Sequence, residues 1–161
     1  KDPLAINFNG SAAQLGATKF SFDLDNDGRS ERISFVAPGS GFLALDKNQD
    51  GKINNGGELF GPASGNGFAE LAAYDEDGNN WIDENDAVFT QLRVWSKDAQ
   101  SNDQLATLKA AGVGALYLGK VATEFSHKGA DNQFDGQVRA SGIYLNEDGS
   151  AGSLQQIDLA V

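Results

Sequence analysis

Polar and apolar residues alternate with period two through Thr18-Lys19-Phe20-Ser21-Phe22, short apolar runs occupy residues 4–8 and 42–45, and residues 31–36 read as a strand paired with 18–22 in a hairpin. These are the patterns of half-buried and fully buried strands. The same patterning returns at 115–118, 121–126, 137–145 and 154–161, with Asp135-Gly136 and Asp148-Gly149 as hairpin turns. Between the two β regions the period changes. Phe68, Leu71, Ala72 and Tyr74 fall on one helical face, and Val88, Phe89 and Leu92 repeat that spacing. Arg93-Val94-Trp95 turns extended, and residues 105–111 predict one more short helix stopped by Gly112. The fold class this predicts is α+β: a mostly antiparallel β framework with a small helical insert.

Three stretches break the pattern with acidic or amide side chains on alternate residues ahead of a turn: Asp23-Leu24-Asp25-Asn26-Asp27-Gly28, Asp46-Lys47-Asn48-Gln49-Asp50-Gly51 and Asp75-Glu76-Asp77-Gly78-Asn79-Asn80. Oxygen ligands at loop positions 1, 3 and 5 with a turn at 6 are how a chain wraps a hard cation such as Ca²⁺. In the third stretch the expected ligands are Asp75, Asp77, Asn79, the Trp81 carbonyl, Asp83 and Asp86, and helical patterns flank it as in an EF-hand. In the second they are Asp46, Asn48, Asp50, the Lys52 carbonyl and Glu58, which arrives one residue late and follows a strand. Ile53 and Ile82 hold the same step in these two loops, so they are expected to pair through a short β bridge. The first offers Asp23, Asp25, Asp27, the Arg29 carbonyl and Glu31 between two strands; a polar hairpin bonding its own backbone is the alternative.

Charge sharpens this picture. The 161 residues carry 12 Lys+Arg against 23 Asp+Glu, a formal net charge of −11, and the acids assigned to the loops account for that excess. Carboxylates so clustered repel one another until a cation joins them. The acidity argues against nucleic acid as a partner. No apolar run is long enough for a membrane span. Zero Cys removes disulfides and thiol chemistry, and zero Met with a start at Lys1-Asp2-Pro3 leads us to expect a single domain over 1–161 cut from a longer protein. His127 has no sequence partner for ligation or catalysis and reads as a surface strand residue; Trp95, Phe89 and Leu92 read as core.

The segments Gly41-Phe42-Leu43-Ala44-Leu45-Asp46, Gly56-Gly57-Glu58-Leu59-Phe60-Gly61, Asn66-Gly67-Phe68-Ala69-Glu70-Leu71 and Phe89-Thr90-Gln91-Leu92-Arg93-Val94-Trp95 together resemble a bacterial family. It is the calcium-dependent self-processing module of iron-regulated RTX (FrpC-type) proteins. The resemblance covers about residues 2–118. It implies Ca²⁺ as cofactor, an EF-hand-bearing secreted or cell-surface protein, and cleavage or cross-linking at an Asp-Pro bond, to which Asp2-Pro3 corresponds. An extended dipeptide entering the first strand is the other reading of Asp2-Pro3. The expected function is therefore calcium binding in about three loops, with autocatalysis at Asp2-Pro3 or a calcium-ordered adhesion module for protein or glycan as alternatives.

Overall fold

The computed structural model describes residues 2–8, 14–128 and 134–160, with side chains apart from those of Thr18 and 123–135. Strands β1 (Leu4–Asn7), β2 (Leu15–Phe22), β3 (Glu31–Val36) and β4 (Ser40–Leu45) come first. They are followed by helix α1 (Gly67–Ala72), β5 (Trp81–Ile82), β6 (Leu92–Lys97) and β7 (Asp103–Thr107). The chain ends with β8 (Val113–Tyr117), β9 (Val121–Lys128), β10 (Phe134–Asn146) and β11 (Ala151–Leu159).

Nine of these strands form one sheet in the order β5-β8-β10-β11-β1-β4-β6-β7, with β9 added against β10; β2 and β3 pair by themselves. Every strand pair is antiparallel. The long β10 serves two partners in succession, β9 along Phe134–Ser141 and β8 along Tyr144–Asn146.

The central strands are buried on both faces, which explains their unbroken apolar runs. Leu4, Ile6, Leu43 and Leu45 face α1, Phe60 and Phe68. Ala5, Phe42, Ala44, Trp95 and Ile157 face the β2–β3 hairpin through Phe22, Ile33 and Phe35. Trp95 is 2% exposed, Leu92 0% and Phe89 8%, so all three are core as expected.

The fold is nearly all β, which overturns the α+β expectation. The expected helical insert reduces to α1, six residues long, and two 3-10 turns at Gly56–Glu58 and Ala87–Thr90. Phe68 and Leu71 are buried at helical spacing, but the chain runs from Ala73 directly into the third acidic loop. Val88 and Phe89 lie in one 3-10 turn before β6 begins. Residues 105–111 are not a helix: Leu105 pairs with Trp95 in the β6–β7 ladder, and cross-strand packing overrides helical spacing. No acidic loop has an α-helix on both sides: the third runs from α1 into a single 3-10 turn, so the EF-hand frame is absent among the described residues. The expected bridge between Ile53 and Ile82 is also absent: Ile82 pairs with Leu116, and the two isoleucines belong to opposite faces of the sheet. Asp135-Gly136 lies inside β10 rather than at a turn, while Asp148-Gly149 does turn, between β10 and β11. The backbone of His127 is in β9, and its side chain lies outside the described residues.

Candidate metal centres

The three acidic loops share one backbone design. The first joins β2 to β3 as a hairpin, with Phe22 opposite Glu31. The second leaves β4 and ends in the Gly56–Glu58 turn; the third leaves α1 and runs into β5. In each, the first aspartate accepts backbone amides four or five residues on. Asp23 receives Asp27 and Gly28 at 3.0 Å each. Asp46 receives Asp50 at 3.3 Å and Gly51 at 2.8 Å, and Asp75 receives Asn80 at 2.9 Å.

The fifth residue of each loop closes a tight turn onto the seventh. Arg29 N–H donates to Asp27, Lys52 N–H to Asp50 and Trp81 N–H to Asn79, each at 2.9 Å. Positive φ recurs at the fourth residue, Asn26 (59°), Gln49 (57°) and Gly78 (67°), and at the sixth, Gly28 (89°), Gly51 (79°) and Asn80 (67°). Asn80 thus does the work of glycine, as amide residues tolerate the left-handed region.

A late acid completes each loop by accepting the amide of the second residue. Leu24 N–H donates to Glu31 at 3.0 Å, Lys47 N–H to Glu58 at 3.0 Å and Glu76 N–H to Asp86 at 2.7 Å. Glu58 also accepts from Asn54 at 2.8 Å, and Asp86 from Asp83 at 3.1 Å. Counting along the sequence places Glu31 at the ninth step and Asp86 at the twelfth; the hydrogen bonds give Glu31, Glu58 and Asp86 the same place. No spacing rule reveals that equivalence, because the closing segments differ in length. The shared amide of the second residue does.

Two of the loops bring carboxylates together. One oxygen from each of Asp23, Asp25 and Asp27 lies within 4.8 Å of the others, and so do those of Asp75, Asp77 and Asp86. Asp83 lies outside the latter group and instead accepts Asn85 N–H at 3.0 Å and Asn79 Nδ2 at 3.1 Å. In the second loop Asn48 replaces a carboxylate, and Asp46, Asp50 and Glu58 do not converge to that spacing. Asn48 Nδ2 there donates to Asn54 at 3.0 Å.

The electrostatics follow this difference. Loss of water around Asp77 within the loop, together with the nearby Asp75, Asp86 and Asp83 carboxylates, raises its carboxyl above the ordinary value. Asp50 is lowered by the Lys52 amide and then by Asn54 and Asn48. Within the third loop, Asp75 Oδ1 is buried and accepts no hydrogen bond. Buried oxygens without a donor are rare and costly, and this one belongs to a converging carboxylate group.

The first two loops are locked together. Asp23 and Asn55 form a parallel bridge, and Gly56 N–H donates to the Asp23 carbonyl at 2.8 Å. A Cβ on Gly56 would stand 1.6 Å from the Leu24 carbonyl oxygen, so glycine is required by the close approach of the two loops.

These features define a nearly all-β module that holds three acidic loops of one design at the ends of its strands. The chain belongs to the SPM domain family, which it matches over residues 4–160. It is 34% identical to iron-regulated protein FrpA of Neisseria meningitidis serogroup C over 175 aligned residues, covering 99% of this chain and 15% of that relative. The chain therefore spans about 15% of the length of the curated relative it matches. The resemblance to bacterial iron-regulated RTX-type modules holds at this level. No helix among the described residues is long and apolar enough to cross a membrane.

Proposed function

We propose that this chain is a calcium-binding module whose fold is stabilised by ions in the three acidic loops, within a larger exported or surface protein. The observation that carries this reading is the third loop: Asp75, Asp77 and Asp86 converge within 4.8 Å, and Asp75 Oδ1 is buried with no donor. A cation supplies what that oxygen lacks. Asp23, Asp25 and Asp27 offer a second such group, and Glu31, Glu58 and Asp86 anchor the loops from behind. All-oxygen donors of this number suit Ca²⁺ better than Mg²⁺, which keeps more of its water. Asn48 and Asn79, with the carbonyls of Arg29, Lys52 and Trp81, would complete the shells.

Binding of this kind is folding energy. At a free concentration 100 times Kd, one independent site adds about 2.7 kcal/mol. Calorimetric titration of metal-free protein with Ca²⁺ tests the reading. Heat saturating at about three ions per chain, with loss of the Asp75 site in Asp75→Ala, is the expected result.

A second reading, self-processing at Asp2-Pro3, is favoured by how that dipeptide is held. Pro3 is buried, its carbonyl accepts Ile157 N–H at 3.0 Å, and Leu4 N–H donates to Phe60 at 2.9 Å. The Asp2 carbonyl oxygen lies against Gly61, where a Cβ would stand 1.8 Å away. Phe60 and Gly61 come two and three residues after Glu58, so the second acidic loop and the dipeptide share one segment. Incubating a chain extended upstream of Lys1 with and without Ca²⁺ and taking intact mass tests this; full-length protein persisting in Ca²⁺ removes it.

A further inference from the structure

Asp2 does not meet its surroundings alone. β1 pairs with β11 so that Leu4 faces Gln156 and Ala5 faces Gln155. Carried two residues toward the start of the chain, that register faces Asp2 to Asp158, and the Ile157-to-Pro3 bond holds it there. Directly opposed residues of an antiparallel pair present their side chains on one face, about 4.5–5.5 Å apart at Cβ. Asp158 raises the Asp2 carboxyl and Asp2 lowers that of Asp158, so the two act on each other. Carboxyls so placed favour sharing one proton over ionising together.

The surroundings divide that pair unequally. The β10–β11 ladder slips between Val138 and Ala140, leaving Arg139 as the extra residue of a bulge. Bulges re-aim side chains and gather near active sites. Here Arg139 Nη2 reaches Asp158 Oδ2 at 2.8 Å. Gln156, two residues before Asp158 and so on its face of β11, is 4% exposed. Its Nε2 donates to Asp2 Oδ2 at 3.3 Å and to the Gly65 carbonyl at 3.1 Å, while its Oε1 accepts Gly67 N–H at 2.8 Å. Both ends of this amide are thus fixed by the segment that follows Glu58. Burial, then Asp158, raises Asp2 above its ordinary value. Burial opposes ionisation of Asp158 too, but the chain's α-amino group, then Arg139 and Asp2, outweigh it and hold its carboxyl at about 2.

We propose that Asp158 is the proton-transferring catalytic residue for cleavage of the Asp2–Pro3 bond, with Arg139 and Gln156 as positioning residues. This rests on the processing reading above. Asp158 accepts the Asp2 carboxyl proton as an Asp2 side-chain oxygen attacks the Asp2 carbonyl carbon. A C–O bond closes a five-membered anhydride, the C–N bond to Pro3 breaks, and the departing nitrogen keeps the electron pair. Asp158 then delivers the same proton to that nitrogen, which leaves as a secondary amine. Water adds to the anhydride, restoring the Asp2 side chain and freeing its main-chain carboxyl. One water is consumed and no redox partner is needed. Gln156 aims the attacking carboxylate, and Arg139 keeps Asp158 ionised to receive the proton.

The test measures cleavage of a chain extended upstream of Lys1, in Ca²⁺, across pH, for wild type, Asp158→Asn, Asp158→Glu and Arg139→Gln, with melting of each variant in Ca²⁺ as a folding control. General acid–base catalysis contributes about 10²–10⁴-fold, so Asp158→Asn should slow cleavage at least about 100-fold. Asp158→Glu should recover part of that rate. Arg139→Gln should move the pH profile upward, because Asp158 then ionises at higher pH. The groups facing Asp2 in this experiment are Asp158 of β11 and, behind it, Arg139 of β10; the α-amino charge is replaced by a peptide bond. If the wild type does not cleave, the processing reading falls and takes this proposal with it. If the wild type cleaves and folded Asp158→Asn matches its rate and pH profile, the proposal alone is overturned. Should Asp158→Asn fail to melt cooperatively, an unshifted profile in Arg139→Gln overturns it instead.

Discussion

The Gly56 amide donates to the Asp23 carbonyl at 2.8 Å, so the first acidic loop begins where the second one closes. Asn55 supports the contact from the other side by accepting Gly57 N–H at 2.9 Å. The two loops are mechanically one unit, and the third stands apart against β8 through Trp81 and Tyr117.

Gly56→Ala tests that unit. Its Cβ would meet the Leu24 carbonyl at 1.6 Å, so the loops must separate. Overpacking of this kind costs about 1–3 kcal/mol. At about 2–4 °C per kcal/mol for a domain of this size, melting in Ca²⁺ should fall by several degrees. Calorimetry should show weakened binding at the first two loops and an unaffected third.

The third loop can be addressed by itself. Asp75→Asn keeps an acceptor for Asn80 N–H yet removes one charge from the crowded Asp75, Asp77 and Asp86 group. Melting in chelator should rise slightly, while melting in Ca²⁺ should fall; a fall in both would mean that Asp75 serves only the backbone. Trp81 lies in this loop, so bound Tb³⁺ should luminesce on Trp excitation and lose most of that signal in Asp75→Ala.

Glu58 carries the second loop. It is 6% exposed and accepts two amides, from Lys47 and Asn54. Glu58→Ala leaves both donors without that partner, at about 1–3 kcal/mol for each group stranded away from water. Denaturant melting in chelator should register the loss, and Ca²⁺ should restore less stability than in wild type.

Much of the β framework was legible because its signal is local. The alternation from Thr18 to Phe22 and the apolar runs at 4–8 and 42–45 each mark a strand in the structure, and the hairpin around the first loop has the expected ends. The helical spacing around residues 88–92 and 105–111 is coincidental, because Leu105 is covered by Trp95 across the β6–β7 ladder and Phe89 by the core on the other face of the sheet. The ligand spacing of the acidic loops was legible residue by residue, but their partnership was not. Ile53 and Ile82 share a loop position, whereas the contact that joins two loops runs from Asp23 to Gly56, with no side-chain pattern to announce it. Asp158 was invisible for a similar reason: the register of β1 against β11 brings it to Asp2.

Arg139 should matter for stability as a function of pH. The chain's α-amino group first, and Arg139 after it, depress Asp158 from 3.8 to about 2, so the share owed to Arg139 is present above the ordinary value and is lost as pH falls through about 2. Both partners are partly exposed, which limits their pair to about 1 kcal/mol. Arg139→Gln should therefore melt a few degrees below wild type near neutral pH, with the gap narrowing as pH falls from about 4 toward 2. A gap that stays constant with pH would assign the loss to packing.

Whether divalent ions in these oxygen-lined loops organise the fold is decided by calorimetric Ca²⁺ titration of the metal-free chain with independent counting of bound metal. Saturable binding of about three ions and a melting temperature that climbs with free Ca²⁺ are expected. Flat heats through millimolar Ca²⁺, no metal retained, and an unchanged melting curve would contradict that organising role.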